Sequence, residues 1–228
     1  MTLYSMTGRV LHTRNTMTTA TGTRPAQATD DVTTRVTAGA QRAVATHGWQ
    51  GATLERIAEA SGLSRMTLHR RGLGRDEIFA LLASDYERDF RETLVPALAS
   101  GGTALERLHR ALRAICDVAE RHLPFLRGLD DEADTRLFHE RDSRVRSRPG
   151  YVDGLEQLLT EGIADGSIRD VPVAETATLL VNAADRTYRH LRIAHGWSPR
   201  RSRTGLLALL ARGVASDTAA QASTTLGR

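Results

Sequence analysis

Apolar side chains recur three and four residues apart along most of the chain, the spacing that lines one face of an α-helix. The first stripe is Val32, Val36, Ala40, Ala43 and Val44, which starts from Asp30 and is ended by His47-Gly48-Trp49. Thr53 then stands where it can cap a second helix, with Leu54, Ile57 and Ala58 facing a core, and Ser61-Gly62-Leu63 interrupts that helix. A third, short helix starts at the N-cap Ser64. It turns Leu68 inward and leaves Arg65, Met66, Thr67, His69 and Arg70 on its outer face. The fourth starts near Asp76 and carries Ile78, Phe79, Leu82, Tyr86, Phe90 and Leu94 on one stripe, long enough to link a small head to a larger body. Pro96 and Gly101-Gly102 close it.

A second helical block follows, with Leu105, Leu108, Leu112, Ile115 and Ala119 on one helix and Val152, Leu155, Leu158, Leu159 and Ile163 on another. The polar stretch between Pro124 and Pro149 reads as a short helix or two with mobile connections. Two more helices are expected at Val173 to His195 and Pro199 to Val214, the latter with proline at its tolerant first position. Residues 1–29 are threonine-rich, carry Arg9, Arg14 and Arg24 but no acidic side chain and no hydrophobic period, and read as a disordered arm; the tail 217–228 reads as frayed. No internal repeat and no β-hairpin signal is found. The expected division is an arm at 1–29, a head at 30–75, a body at 76–216 and the tail.

Composition agrees with an all-α chain, since aromatic residues make up only 4% of it. The net charge of +4 suits a polyanionic partner, but all 31 cationic side chains are arginine, which codon bias explains more simply than function does. A lone cysteine, Cys116, forms no internal disulfide, and no apolar run approaches the roughly 20 residues of a bilayer span. The cytoplasm is therefore the expected compartment, with no membrane partner. The eight histidines show no compact ligand spacing, and His190 and His195 are a poor helical pair, so no metal and no cofactor are expected.

Two short helices joined by a glycine-containing turn, residues 53 to 71, form a helix-turn-helix pattern. Gly62 permits the sharp turn, and Leu54, Ile57, Ala58, Leu63 and Leu68 fix the angle between the helices, so that the outer face of the second can enter a DNA major groove. On that face Arg65 has the forked donors that read guanine, while Met66 and Thr67 suit a thymine methyl; Arg70 and Arg71 can serve bases or phosphates.

The segment TLERIAEASGLSRMTLHR, followed by a glycine turn and RDEIFALL, resembles the DNA-binding segment of the TetR/AcrR family over about 50 residues. The matching residues are Ile57-Ala58-Glu59-Ala60, Gly62-Leu63-Ser64, Thr67-Leu68-His69 and Arg75-Asp76-Glu77. His69 stands where the family usually has tyrosine, and Arg71-Gly72-Leu73 replaces histidine-phenylalanine-glycine. The resemblance implies an all-α protein with an N-terminal three-helix helix-turn-helix domain joined to a larger helical ligand-binding and dimerisation domain. It gives Thr53, Arg75 and His69 phosphate contacts and makes Ser64 the cap of the recognition helix. It also implies a homodimer through the last two helices, double-stranded operator DNA as partner, and an unknown small-molecule effector. The effector cavity is expected among Leu112, Cys116, Phe125, Phe138, Tyr151, Leu155, Tyr188 and Arg192, all of which also suit plain core or structural roles.

Two other functions compete with this one. An enzyme would need a nucleophile elbow, a glycine-rich phosphate loop or a metal-binding helix motif, and the sequence has none of these. An architectural or non-specific DNA-binding protein without an effector fits the head but leaves the large second block without a task.

Overall fold

The computed structural model describes residues 25–128 and 148–217, with side chains described over 31–128 and 152–217. The expectations for residues 1–24, for Phe138 and the polar stretch around it, for the Tyr151 side chain and for residues 218–228 lie outside these.

Helix α1 (Pro25–Gly51) starts ahead of Asp30 and is interrupted at Gly48, whose φ of 69° only glycine adopts without strain. α2 (Leu54–Ser61) and α3 (Arg65–Arg70) are capped as expected, the Thr53 side chain accepting from Arg56 N and the Ser64 side chain from Thr67 N. Gly62 ends α2 in the left-handed region at φ 63°. Val36, Ala40, Ala43, Val44, Ile57, Ala58 and Leu68 are buried together. The closest approach is at Gly39, where a β-carbon would lie 2.7 Å from Ser61 N and 2.8 Å from Ser61 Cα. Glycine therefore lets the α1 and α2 backbones touch.

α4 (Arg75–Leu98) runs from the head into the body, with Ile78, Leu82, Tyr86, Phe90 and Leu94 buried. It passes through Pro96 and ends two residues later: proline removes one hydrogen bond near the end of the helix without stopping its last turn. α5 (Ala104–Arg121) returns antiparallel, begun by a reciprocal cap in which Thr103 accepts from Glu106 N and Glu106 accepts from Thr103 N. The short α6 (Leu123–Arg127) brings the chain back against α1. There Trp49 packs edge to face on Phe79 and Phe125, which are tilted against each other, with ring centroids 5.5–6.4 Å apart. Gly128 lies so close to Trp49 that a β-carbon would stand 3.3 Å from the Trp49 nitrogen.

The rest of the body is α7 (Arg148–Ala164), α8 (Val173–Asn182), α9 (Tyr188–Ile193) and α10 (Pro199–Val214). The single helix expected from Val173 to His195 is instead α8 and α9 joined by a π-helical turn, Ala183–Thr187, which ends at Ile193. No strand forms among the described residues; an isolated antiparallel bridge pairs Ile168 with Ala215 and ties the end of α10 to the loop after α7. The buried residues of head and body make one continuous core.

Candidate DNA-binding face and body clefts

α3 is held by a single buried residue, Leu68, and everything facing away from it is open to solvent. Met66 is 64% exposed, a long apolar side chain left on the surface of a six-residue helix. Arg65, His69, Arg70 and Arg71 are exposed beside it, and Arg70 makes no hydrogen bond or ion pair among the described residues. Thr67 is half-buried, its hydroxyl 2.9 Å from that of Ser64. The face thus offers forked donors, an imidazole and a methyl-bearing apolar tip together, the set that reads base edges and phosphates in a major groove.

Arg65 is not idle, because its Nη1 lies 2.7 Å from Oε1 of Glu55 on α2. Both side chains are mostly exposed, so this ion pair adds little stability, but it fixes where the guanidinium points. Glu55 is held below its ordinary range first by its own backbone N–H, then by the Thr53 hydroxyl and Arg65. Sequence reasoning missed Glu55. The signal that could have found it is an acid in the first turn of α2 facing a cation in the first turn of α3.

Arg75, expected on phosphate from the resemblance, is turned inward. Its Nη2 donates to Trp49 O at 3.0 Å and its Nη1 to Ala52 O at 3.1 Å, while the guanidinium lies 4.6 Å from the centre of the Trp49 ring. These carbonyls sit at the broken end of α1, where helical partners run out. Thr53 stays exposed at the start of α2. Gly74, just before Arg75 at the start of α4, donates its N–H to Glu77 Oε2 at 2.9 Å.

The effector candidates separate. Leu112, Cys116, Leu155 and Tyr188 are at most 1% exposed and belong to the packed core. Cys116 donates weakly to Ala184 O at 3.5 Å, and burial with Asp117 nearby pushes its thiol up to about 12. Arg192 is committed to Glu120, its Nε 2.8 Å from Oε2 and its Nη2 2.9 Å from Oε1, and it also donates to Trp197 O. The Tyr188 hydroxyl donates to the same Glu120 Oε2 at 2.9 Å. Phe125 lines a cleft, of about 610 Å³, between head and body. That cleft also holds a polar network. Asp85 accepts from Gln41 and Arg88, and Asp89 accepts from Arg121 Nε and Nη2 at 2.8 Å and meets His122 Nε2 at 3.0 Å. Gln41 belongs to α1 and Arg121 to α5, so α4 is the bridge between the two. His190 and His195, five residues apart, do meet, with ring centroids at 5.1 Å, because the chain turns back after α9.

An all-helical chain that offers a capped, outward-facing helix from a helix-turn-helix head and carries a larger helical body is a DNA-binding regulator in class. Residues 101–214 match the family model described as tetracyclin repressor-like, C-terminal domain, and with half of its length so matched the chain belongs to the TetR family. No curated protein matches it. Among solved structures, a TetR/AcrR-family transcriptional regulator from Thermobifida fusca is 20% identical, with a TM-score of 0.64 over 80% of this chain and 98% of that one. The ketosteroid transcriptional regulator KstR2 of Mycobacterium tuberculosis is 19% identical, with a TM-score of 0.63 over 81% and 95%. AibR, solved with isovaleryl coenzyme A and operator DNA, is 17% identical, with a TM-score of 0.57 over 78% and 97%. Among the described residues no helix is long and apolar enough to cross a membrane.

Proposed function

We propose that the protein is a ligand-responsive transcriptional repressor that binds a palindromic operator as a homodimer. The observation that carries this reading is the outer face of α3, with Arg65, Met66, His69, Arg70 and Arg71 exposed around one anchoring residue. In this reading residues 30–75 form the DNA-binding head and 76–216 the ligand-binding and dimerisation body. Thr53, Ser64 and Thr67 approach the backbone or groove from capped helix starts, where free N–H groups favour anions. Arg75 supports the head from within.

The pairing surface is assigned to the last helices. Leu179 on α8 is 68% exposed and Leu209 on α10 is 70% exposed, apolar area that a monomer leaves in water and a two-fold partner would cover. Two heads about 34 Å apart would then meet successive major grooves. An effector would work by preferring a head spacing that does not fit DNA. Its cavity is proposed to open among α5 to α9, where Leu112, Leu155 and Tyr188 are closely packed and Phe125 lines a cleft. The protein is proposed to have no enzymatic activity and to act in the cytoplasm.

Selection from random duplex DNA at near-physiological salt tests this reading. Recovery of an inverted repeat supports it, and equal retention of unrelated sequences overturns it in favour of phosphate-only binding.

A further inference from the structure

A second cleft, of about 490 Å³, opens between α5 and α10, and its charged walls are all cationic. His109 and Arg113 come from α5, and Arg200 and Arg203 from the first turns of α10, with Thr204 beside them and Leu207 forming an apolar floor. A carboxylate, Asp117, lies one helical turn beyond Arg113 on α5; it pairs with Arg203 and lies 3.7 Å from Arg113 Nε. Arg200 makes no hydrogen bond or ion pair among the described residues. Three guanidinium groups against one carboxylate leave two positive charges facing the cleft. The free N–H groups at the start of the sixteen-residue α10 add to the same field. Desolvation, then Arg113 and Arg110, holds the His109 imidazole below its ordinary range. The cleft therefore already disfavours further positive charge.

Two placements separate this cleft from the rest of the protein's expected work. His109 lies thirteen residues before His122 on α5, about 20 Å up the helix from the head-body junction, so these cations are not part of the DNA face. Arg200 and the exposed Leu209 are nine residues apart on α10, about half a turn around its axis, so a partner seated on Leu209 meets the side of the helix away from Arg200.

We propose that the α5–α10 cleft binds a compact organic dianion, a phosphate monoester or a dicarboxylate, whose charged end is held by Arg113, Arg200 and Arg203 and whose apolar end rests on Leu207. Guanidinium forks match both oxyanion types in paired geometry. The net charge of the walls matches a dianion rather than a polyphosphate. The inference stands apart from the operator reading, because it requires neither DNA nor a change of head spacing.

Calorimetric titration of the full chain with phenyl phosphate and, separately, with glutarate tests it without DNA. Saturable binding of either probe, weakened on the order of tenfold in Arg113→Gln/Arg200→Gln, is the expected result, and the stronger probe names the source. Arg200→Gln alone serves if the double variant fails to fold, since Arg200 holds no partner. The His109 ring resonances should also titrate at higher pH with the probe bound, facing Arg110 and Arg113 on α5 and Arg200 and Arg203 on α10. No binding of either probe overturns the proposal. So does unchanged binding in the variants, or an equal loss in Arg91→Gln/Arg212→Gln, which removes two exposed charges elsewhere.

Discussion

Arg65 reaches from the first turn of α3 to Glu55 on α2, closing an ion pair of 2.7 Å across the turn that joins the two helices. The residue best suited to read a base is thus aimed by a carboxylate it must share or leave on meeting DNA. Arg65→Ala should erase base preference at one operator position, by about 1–3 kcal/mol, with little loss elsewhere. Glu55→Gln should strengthen binding to all sequences and narrow the gap between operator and random DNA. Competition binding against single-base operator variants measures both, and an equal loss on every sequence for Arg65→Ala rules out base reading by this residue.

Arg75 should behave as a structural residue. Arg75→Ala leaves the Trp49 and Ala52 carbonyls without their donors and removes the cation from the Trp49 ring, a cost of about 1–3 kcal/mol in denaturant unfolding. Operator affinity should fall only in step with the unfolded fraction. A large affinity loss with unchanged stability would return Arg75 to the phosphate backbone.

Gly39→Ala should destabilise the head by about 1–3 kcal/mol, since its methyl has only backbone and the Ser61 side chain to displace. Gly205→Ala, where nothing lies within 4 Å, serves as the control and should be neutral or slightly stabilising. Thermal unfolding of the two variants distinguishes them.

Glu120 sets a pH dependence. Hydrogen bonds from Arg192, against desolvation and with help from Tyr188, hold its carboxyl below the ordinary 4.5. A carboxyl depressed on folding contributes stability above its unfolded pKa, and that stability is lost as pH falls through the folded value. Glu120→Gln should therefore cost about 1–3 kcal/mol at neutral pH, and the difference from wild type should shrink below pH 4.5. Urea unfolding at several pH values checks it; a constant difference down to acid pH would remove Glu120 from the linkage.

Leu209→Glu should dissociate the homodimer while leaving the helical content intact, as the side chain is 70% exposed in the monomer. Sedimentation velocity gives the answer directly, and a variant that sediments as wild type would move the pairing surface elsewhere.

The stripes were readable because period carries them: Val36 to Val44, Ile78 to Leu94 and Leu108 to Ala119 are buried as their spacing predicts. The caps at Thr53 and Ser64 and the turn at Gly62 were equally local. What escaped depends on partners remote in the chain. Arg75 finds Trp49 across 26 residues, and Arg192 finds Glu120 across 72. Nothing in the helical spacing tells which cation closes a helix end. The same limit applies to Leu112, Leu155 and Tyr188, since an apolar stripe looks alike whether it walls a cavity or fills a core. The π-helical turn leaves the helical repeat nearly unbroken in sequence, so α8 and α9 read as one.

Where α6 meets α1, Trp49, Phe79 and Phe125 each touch the other two, and the Gly128 backbone lies against Trp49. Rings interlocked this way do not slide past one another; the joint either keeps its packing or exchanges it for another. Motion passed from body to head through this joint would arrive as a step, and transcriptional output governed by it would switch sharply per molecule, the graded response of a culture arising from the fraction of molecules that have switched.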